Sequence, residues 1–473
     1  MAVEVDLLPL VNVTVTAPAG CGKTELIADA LRRHANPKPI LVLTHTNAGV
    51  AALRGRLDKA RVLPSAYRLS TIDGWAIRLI STFPNRSGLD PQVLRISSPA
   101  NDYPAIRAAA SRLLAGKYVH DVLAASYAKV IVDEYQDCSI SQHELVCHAA
   151  YTLPTVLLGD PLQAIFGWRG NEPPDWKDDV CRRFPVAAEL KTPWRWKNAG
   201  TESLGRWLLH VRQLLQTNEE IDLATAPPEL QWVHLDGVDD EAKRREVARQ
   251  SAPNAEAKII ILGTNRPDNH RRIASHTPGA ITVEAVDLGD LVAFGQSLDF
   301  AAPNALERVL SFASDLMTNV GVADILARVS SLRRGTARTE PSEVERAAIG
   351  FLERPNPSST ATLLSAISAA SGVRTYRTGV LRAAFRALGQ CDGKPSNSFA
   401  DATLRVREQN RLVGRPLAKR SVGSTLLLKG LEGEVAVVLY ADEMDSPNLY
   451  VAMTRGSQRL VVCSRSPILR PRH

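Results

Sequence analysis

Short apolar runs recur along the first third of the chain, each passing into a polar or glycine-rich turn and then into a stretch with helical spacing. Val11 to Thr16, Ile40 to Thr44, Lys129 to Val132 and Thr155 to Leu158 are such runs. They are too short for helices, and the alternation of these short runs with helical stretches predicts strands of a sheet covered on both faces. Strand and helix in alternation predict a parallel sheet covered by helices. A later set, Lys258 to Leu262, Ala280 to Ala285, Val435 to Tyr440 and Leu460 to Cys463, predicts a second α/β unit.

Two segments interrupt this rhythm. Residues 82–126 separate strands of the first unit and read as a small helical insertion. From Val286 to Arg420 the texture becomes rich in alanine, serine and arginine, broken by Pro303, Gly321, Pro341, Pro355, Pro357, Gly372 and Gly393. That segment reads as a larger helical insertion. The expected layout is therefore a first α/β domain from 1–81 and 127–189 around the insertion 82–126. A second domain from 190–286 and 421–473 surrounds the insertion 287–420.

Composition narrows the class. The chain has 473 residues, 45% hydrophobic and 23% charged, a balance that can bury several cores and excludes fibrous or wholly disordered proteins. No run approaches the roughly 18 to 20 apolar residues of a membrane span, and the acidic start MAVEVD lacks the basic region of a secretory signal. A cytoplasmic protein without a membrane partner is expected. The six cysteines form no C-x-x-C pair, which argues against zinc and disulfide frameworks. Lys plus Arg exceed Asp plus Glu by 57 to 50, compatible with a polyanionic partner. Six basic residues, Arg405, Arg407, Arg411, Arg415, Lys419 and Arg420, face one acid, Glu408, in one stretch, as either a solvated face or a phosphate-contacting surface.

The chemistry begins after the first strand, at Ala17-Pro18-Ala19-Gly20-Cys21-Gly22-Lys23-Thr24, followed by a predicted helix over Glu25 to Arg33. This fits G-x-x-x-x-G-K-[ST] except for Ala17 at the first glycine. Loop amides and the positive helix end can cradle phosphates, Lys23 can reach the β- and γ-phosphates, and the Thr24 hydroxyl can ligate Mg²⁺. Ala19, Gly20, Cys21, Gly22, Lys23, Thr24 and Glu25 are thus the expected nucleotide-binding residues. Asp133 and Glu134 end another strand; Asp133 is expected to hold Mg²⁺ with Thr24, and Glu134 to act as general base on water.

With Asp133-Glu134-Tyr135-Gln136-Asp137 in place, the sequence resembles the UvrD/Rep-like branch of superfamily 1 helicases. Further blocks follow in family order: Thr44 to Ala48, Ser70 to Trp75, Gly159 to Gly170, Leu190 to Asn198, Thr425 to Gly433 with its KGLEG run, and Leu449 to Arg455. The resemblance implies two RecA-like parallel-sheet domains with helical insertions, ATP and Mg²⁺ as cofactors, and single-stranded or forked DNA as partner. It also implies roles. Gln163 would sense the γ-phosphate, Arg195 and Arg455 would act as arginine fingers from the second unit across a cleft, and Glu432 would contact the nucleotide sugar. His45, Thr46, Asn47, Thr71, Phe166, Trp168 and Arg169 would line the DNA path, with Phe166 and Trp168 stacking on bases unless Trp168 is a core residue.

Three departures from the family pattern stand out. His45 occupies a position usually aromatic, Met1 to Thr16 contain no adenine-reading glutamine, and Leu426, Leu427 and Leu428 replace polar residues before KGLEG. The expected function is an ATP-dependent DNA helicase or single-strand translocase moving 3′ to 5′. The alternative is a nucleotide-gated ATPase subunit that regulates a partner nuclease in antiviral defence without processive unwinding, because compact members of this branch occur in Gabija-type anti-phage systems beside a nuclease.

Overall fold

The computed structural model describes residues 4–167, 172–391, 398–410 and 417–471. They form two compact units. The first comprises 1–234, 441–460 and 466–473, and the second 235–440 and 461–465.

The first unit is built on six strands: β1 (Val13–Thr16), β2 (Ile40–Thr44), β3 (Tyr67–Thr71), β4 (Lys129–Val132), β5 (Thr155–Gly159) and β6 (Val186–Glu189). Their order is β3-β2-β4-β5-β1-β6, and every neighbouring pair is parallel. β1, β2, β4 and β5 are the apolar runs of the sequence. The edge strands β3 and β6 are half exposed or carry polar residues, so hydrophobic patterning misses them.

Because the strands are parallel, the turns after β1, β4 and β5 emerge at one edge of the sheet, where open α/β sheets bind ligands. β5 lies between β1 and β4. The loops that follow β1 and β4 are therefore about 10 Å apart, two strand spacings, a gap that a lysine side chain can bridge.

Helices cover both faces. Helix α1 (Lys23–Arg33) buries Leu26, Ile27, Ala30 and Leu31 against Val15, Ile40, Val42 and Ile131. Its first turn carries Glu25 and its last Arg32 and Arg33, the charge order that suits the helix dipole. Helix α2 (Asn47–Lys59) buries Leu53 and Leu57 and leaves most of its surface to solvent. On the opposite face, helix α3 (Ile72–Thr82) and the helices Pro99–Ala115 and Ile140–Ala149 pack around Trp75, Ile106, Leu113 and Leu145. The segment 82–126 is helical, and its long helix is latched to α3 by Arg107, which donates to Asp73 at 2.6 Å.

A buried lysine ties down the start of the chain. Lys129 in β4 is 6% exposed, and its ammonium donates to the carbonyls of Leu7, Leu8 and Leu10 at 2.9, 2.7 and 2.5 Å. Burial pulls its pKa down to about 8, so these three bonds offset the cost of keeping the charge inside. Glu4, in the same segment, accepts from the amides of Lys191 and Thr192. Lys129→Met is expected to destabilise the fold by at least about 1–3 kcal/mol, the cost of a stranded buried polar group. Amide exchange should accelerate first between residues 4 and 12; unchanged protection there would remove the tie from any stabilising role.

The second unit holds β7 (Ile259–Leu262), β8 (Ile281–Thr282), β9 (Arg420–Gly423) and β10 (Gly433–Val438) in the order β8-β9-β7-β10, again parallel. Between Gly289 and Asn410 the described residues form seven helices around a core in which Phe294 stacks on Phe312 at 3.9 Å and meets Phe399 edge-on. A two-residue ladder between Met317–Thr318 and Arg374–Thr375 is added to these helices. Arg377, 2% exposed, fastens the segment by donating to Glu284 and Asp290.

Residues 190–234 and 441–460 cluster with the first unit, where Trp194, Trp196 and the Tyr450 hydroxyl lie against the loop after β1. The basic stretch near 410 also disperses: Arg420 donates to the carbonyls of Ala248 and Gln250, while Arg407 and Lys419 pair with Glu408 and Glu256. Arg411 and Arg415 lie outside the described residues. Among the described residues no helix is long and apolar enough to cross a membrane.

Candidate active site

The loop after β1 owes its shape to two glycines. Gly20 and Gly22 have φ of 73° and 85°, in the left-handed region that glycine enters without cost, and this turns neighbouring amides toward a common centre as in anion-binding nests. The space behind them is filled. A Cβ on Gly20 would lie 2.5 Å from the Trp196 ring, and one on Gly22 would lie 3.0 Å from Trp194. The helix Trp194–Ala199 thus forms the floor of the loop, and the Arg195 amide donates to the Gly20 carbonyl at 3.0 Å. Helix α1 starts at Lys23, two residues earlier than the sequence suggests, because Gly22 itself serves as its N-cap.

Lys23 spans the gap to the end of β4. Its ammonium stands 3.1 Å from Asp133 Oδ1 and 2.6 Å from Glu134 Oε1. Burial opposes its charge, but the two carboxylates outweigh it and hold the lysine pKa above its ordinary value. Asp133 moves upward, first because it is buried and then because Glu134 repels its charge, against the pull of Lys23. Two carboxylates thus share one ammonium in a poorly solvated place. Asp133 and the Thr24 hydroxyl, one residue beyond Lys23, are hard oxygens of the kind Mg²⁺ takes.

Glu134 has φ 53° and ψ 43°, an unusual backbone state for a glutamate that costs on the order of 1–3 kcal/mol and concentrates at functional sites. Its carboxylate accepts from Gln136 Nε2 at 2.6 Å, and the Oε1 of the same amide accepts from the Asp160 amide at 3.1 Å. Asp160, fully buried after β5, accepts from Gln163 Nε2 at 3.1 Å and from Arg212. A polar relay therefore runs from Glu134 through Gln136 and Asp160 to Gln163, and sequence reasoning assigns no role to Gln136 or Arg212. Arg212 carries no local signal at all: only the fold shows it to be 3% exposed between Asp160 and Glu189.

The remaining expected nucleotide residues divide. Ala19 donates its amide to the hydroxyl of Tyr450, a fully buried tyrosine that sequence reasoning also misses. Burial pushes the Cys21 thiol up to about 12, which makes it an inert filler of the loop. Glu25 pairs on the surface with Arg32 at 2.7 Å. Thr24 accepts a hydrogen bond from Arg56 of α2 at 2.8 Å. Glu432 is exposed and belongs to the second unit.

Arg195 and Arg455 both fall among the residues that cluster with the first unit, and the strand Gly456–Ser464, which begins directly after Arg455, is part of the second six-stranded sheet. Arg195 Nη1 donates to the Thr454 carbonyl, which sets the two arginines side by side. Arg455 is 3% exposed, with Nε donating to the Val451 carbonyl at 2.8 Å and Nη2 to Thr454 Oγ1 at 3.1 Å.

Comparison with known proteins places the similarity in the first part of the chain. The UvrD/REP helicase N-terminal domain matches residues 5–100 and 98–178, the stretch that carries Lys23, Asp133, Glu134 and Gln163. The first part of the chain is thus similar to the N-terminal domain of UvrD/Rep-like helicases. One component of the ATP-dependent helicase/nuclease of Leuconostoc mesenteroides is 30% identical over 140 residues, 24% of this chain and 11% of that protein. The Gabija protein GajB of Bacillus cereus is 27% identical over 202 residues, 34% of this chain and 39% of its own. The chain therefore spans well under half the length of these curated relatives. A Bacteroides Pif1 helicase, solved with ADP-AlF3 and ssDNA, aligns over 56% of this chain and 52% of its own, with 15% identity and a TM-score of 0.28.

Of the expected strand-contacting residues, His45, Thr46, Asn47, Thr71 and Phe166 lie at the same edge of the sheet, at or after the ends of β2, β3 and β5. Thr46 and Thr71 are N-caps, accepting from the amides of Gly49 and Gly74, a role that fixes the starts of α2 and α3 whatever else they touch. Asn47 opens α2. The structure brings His45 and Phe166 together, with ring centroids 5.9 Å apart. Trp168 and Arg169 lie outside the described residues.

Proposed function

We propose that this protein is an ATP-driven motor on DNA, a helicase or single-strand translocase that moves 3′ to 5′. The observation that carries this reading is the junction of Lys23 with Asp133 and Glu134 at one edge of a parallel sheet. The loop amides and Lys23 hold the β- and γ-phosphates, and Thr24 and Asp133 hold Mg²⁺, which supplies charge neutralisation on the phosphates when bound. Glu134, kept in place by Lys23 and Gln136, accepts the proton of the attacking water. Gln163 reports the γ-phosphate to Asp160, and Arg195 and Arg455 meet the charge that develops on the transferring group. The test is ATP turnover measured with no DNA, with single strands and with forked duplex, together with strand separation. Turnover indifferent to every DNA would sink the motor reading.

The similarity to a Gabija protein and to part of a helicase/nuclease favours a second reading, a nucleotide-gated component that works beside a nuclease in antiviral defence. It predicts turnover responsive to DNA or nucleotide without strand separation, and a nuclease whose cutting depends on this chain.

On the DNA side, Phe166→Ala should lower single-strand affinity by about 1–3 kcal/mol, the usual value of one stacked base. Its partner ring His45 then loses its neighbour. Titration with a labelled oligonucleotide at two salt concentrations checks this, and unchanged affinity at both would remove Phe166 from the strand path.

A further inference from the structure

Helix α2 joins two places that the proposed function uses separately. Its N-terminus, capped by Thr46, carries the residues His45, Thr46 and Asn47 on the expected DNA path. Toward its other end, Arg56 is an exposed residue whose guanidinium reaches the phosphate loop and donates to the Thr24 hydroxyl at 2.8 Å. Asn47 and Arg56 are separated by about 14 Å of helix at 1.5 Å per residue. A single stiff element thus touches both sites.

The contact is chemically exclusive. Thr24 is the hydroxyl that would serve Mg²⁺, and a guanidinium donating to it brings a second cation to the same oxygen. When that hydroxyl turns to the metal, Arg56 is repelled by the new charge and attracted to the phosphates beside it. Whatever part of that force the side chain does not absorb by changing rotamer is passed to the helix that carries it. Of the thirteen residues of α2 only Leu53 and Leu57 are buried, and an element with so few apolar anchors sits at the low-stability end of a fold, free to shift on small energies.

We propose that Arg56 is a positioning residue that couples the phosphate loop to the expected DNA-contacting residues His45–Asn47 through α2. This rests on the motor reading above and names the device by which nucleotide and strand sense each other. The sequence gives no hint of it, because Arg56 lies outside the blocks that carry the family resemblance.

The test uses the full chain, a fluorescent non-hydrolysable ATP analogue with Mg²⁺, and a labelled oligo-dT strand. The affinity of each ligand is measured with and without the other; by linkage the two ratios must agree. The wild type should show coupling within the usual range of about 5- to 150-fold. In Arg56→Met, which keeps the apolar stem but not the donor, the ratio should fall to near one, and Arg56→Lys should recover part of it. A wild type that is coupled beside an Arg56→Met variant coupled to the same degree would overturn the assignment to Arg56 while leaving the motor reading intact. A wild type that binds the analogue but no strand would overturn both. Because the readout is a ratio of affinities, a general loss of folded protein moves neither arm.

Discussion

Arg455→Ala is expected to lower maximal ATP turnover by about 10³- to 10⁵-fold if the arginine meets the transferring phosphate, with a much smaller effect on nucleotide affinity, since that charge develops mainly in the transition state. Arg455 is also buried and bonded to the end of its own helix, so a purely structural role makes a different forecast. Its loss would then lower the unfolding temperature and reduce turnover only in proportion to unfolded protein. Arg455→Lys separates the two: the ammonium can keep a carbonyl contact but lacks the planar fork, so a finger predicts a folded and slow variant. Arg195, whose side chain donates to the Thr454 carbonyl, should follow the same pattern. Wild-type turnover per folded molecule in both alanine variants would end the finger assignment.

Glu134→Gln should suppress hydrolysis by about 10²- to 10⁴-fold, the usual cost of losing one general base, while nucleotide binding stays within a few-fold. The amide is nearly isosteric, and Lys23 keeps its partner Asp133 at 3.1 Å. The backbone at φ 53° is unchanged by the substitution, so the unfolding temperature should hold. Single-turnover hydrolysis beside a fluorescent-nucleotide titration checks both halves. Undiminished hydrolysis would remove Glu134 from the base role.

The parts of this protein that the chain announces are those where local chemistry and position coincide. A buried strand such as Ile40–Thr44 is apolar throughout, and a phosphate loop needs its glycines and lysine consecutively, so β2, β4 and Lys23 are all readable from the sequence. The edge strands Tyr67–Thr71 and Val186–Glu189 carry arginine or glutamate on half-exposed positions and look like loops. The polar relay is harder still. Gln136, Asp160 and Arg212 are far apart in the chain, and each is an ordinary polar residue until the sheet order places β5 between β1 and β4. The packing of Trp194 and Trp196 under the phosphate loop is hidden in the same way, since neither ring has a local signal that ties it to glycines more than 170 residues earlier.

The positive φ at Glu134 has a further consequence, for attempts to make this protein sturdier. At that backbone angle glycine, and to a lesser degree asparagine, relieves strain that glutamate must carry. Relief of this kind, here worth up to a few kcal/mol, is among the changes that heat-tolerance screens reward. A library sorted by survival on heating would therefore enrich Glu134→Gly and Glu134→Asn, both of which delete the acid that the proposed chemistry requires. Robustness and turnover pull this one position in opposite directions, so any stabilisation campaign has to hold it fixed or select on hydrolysis in every round.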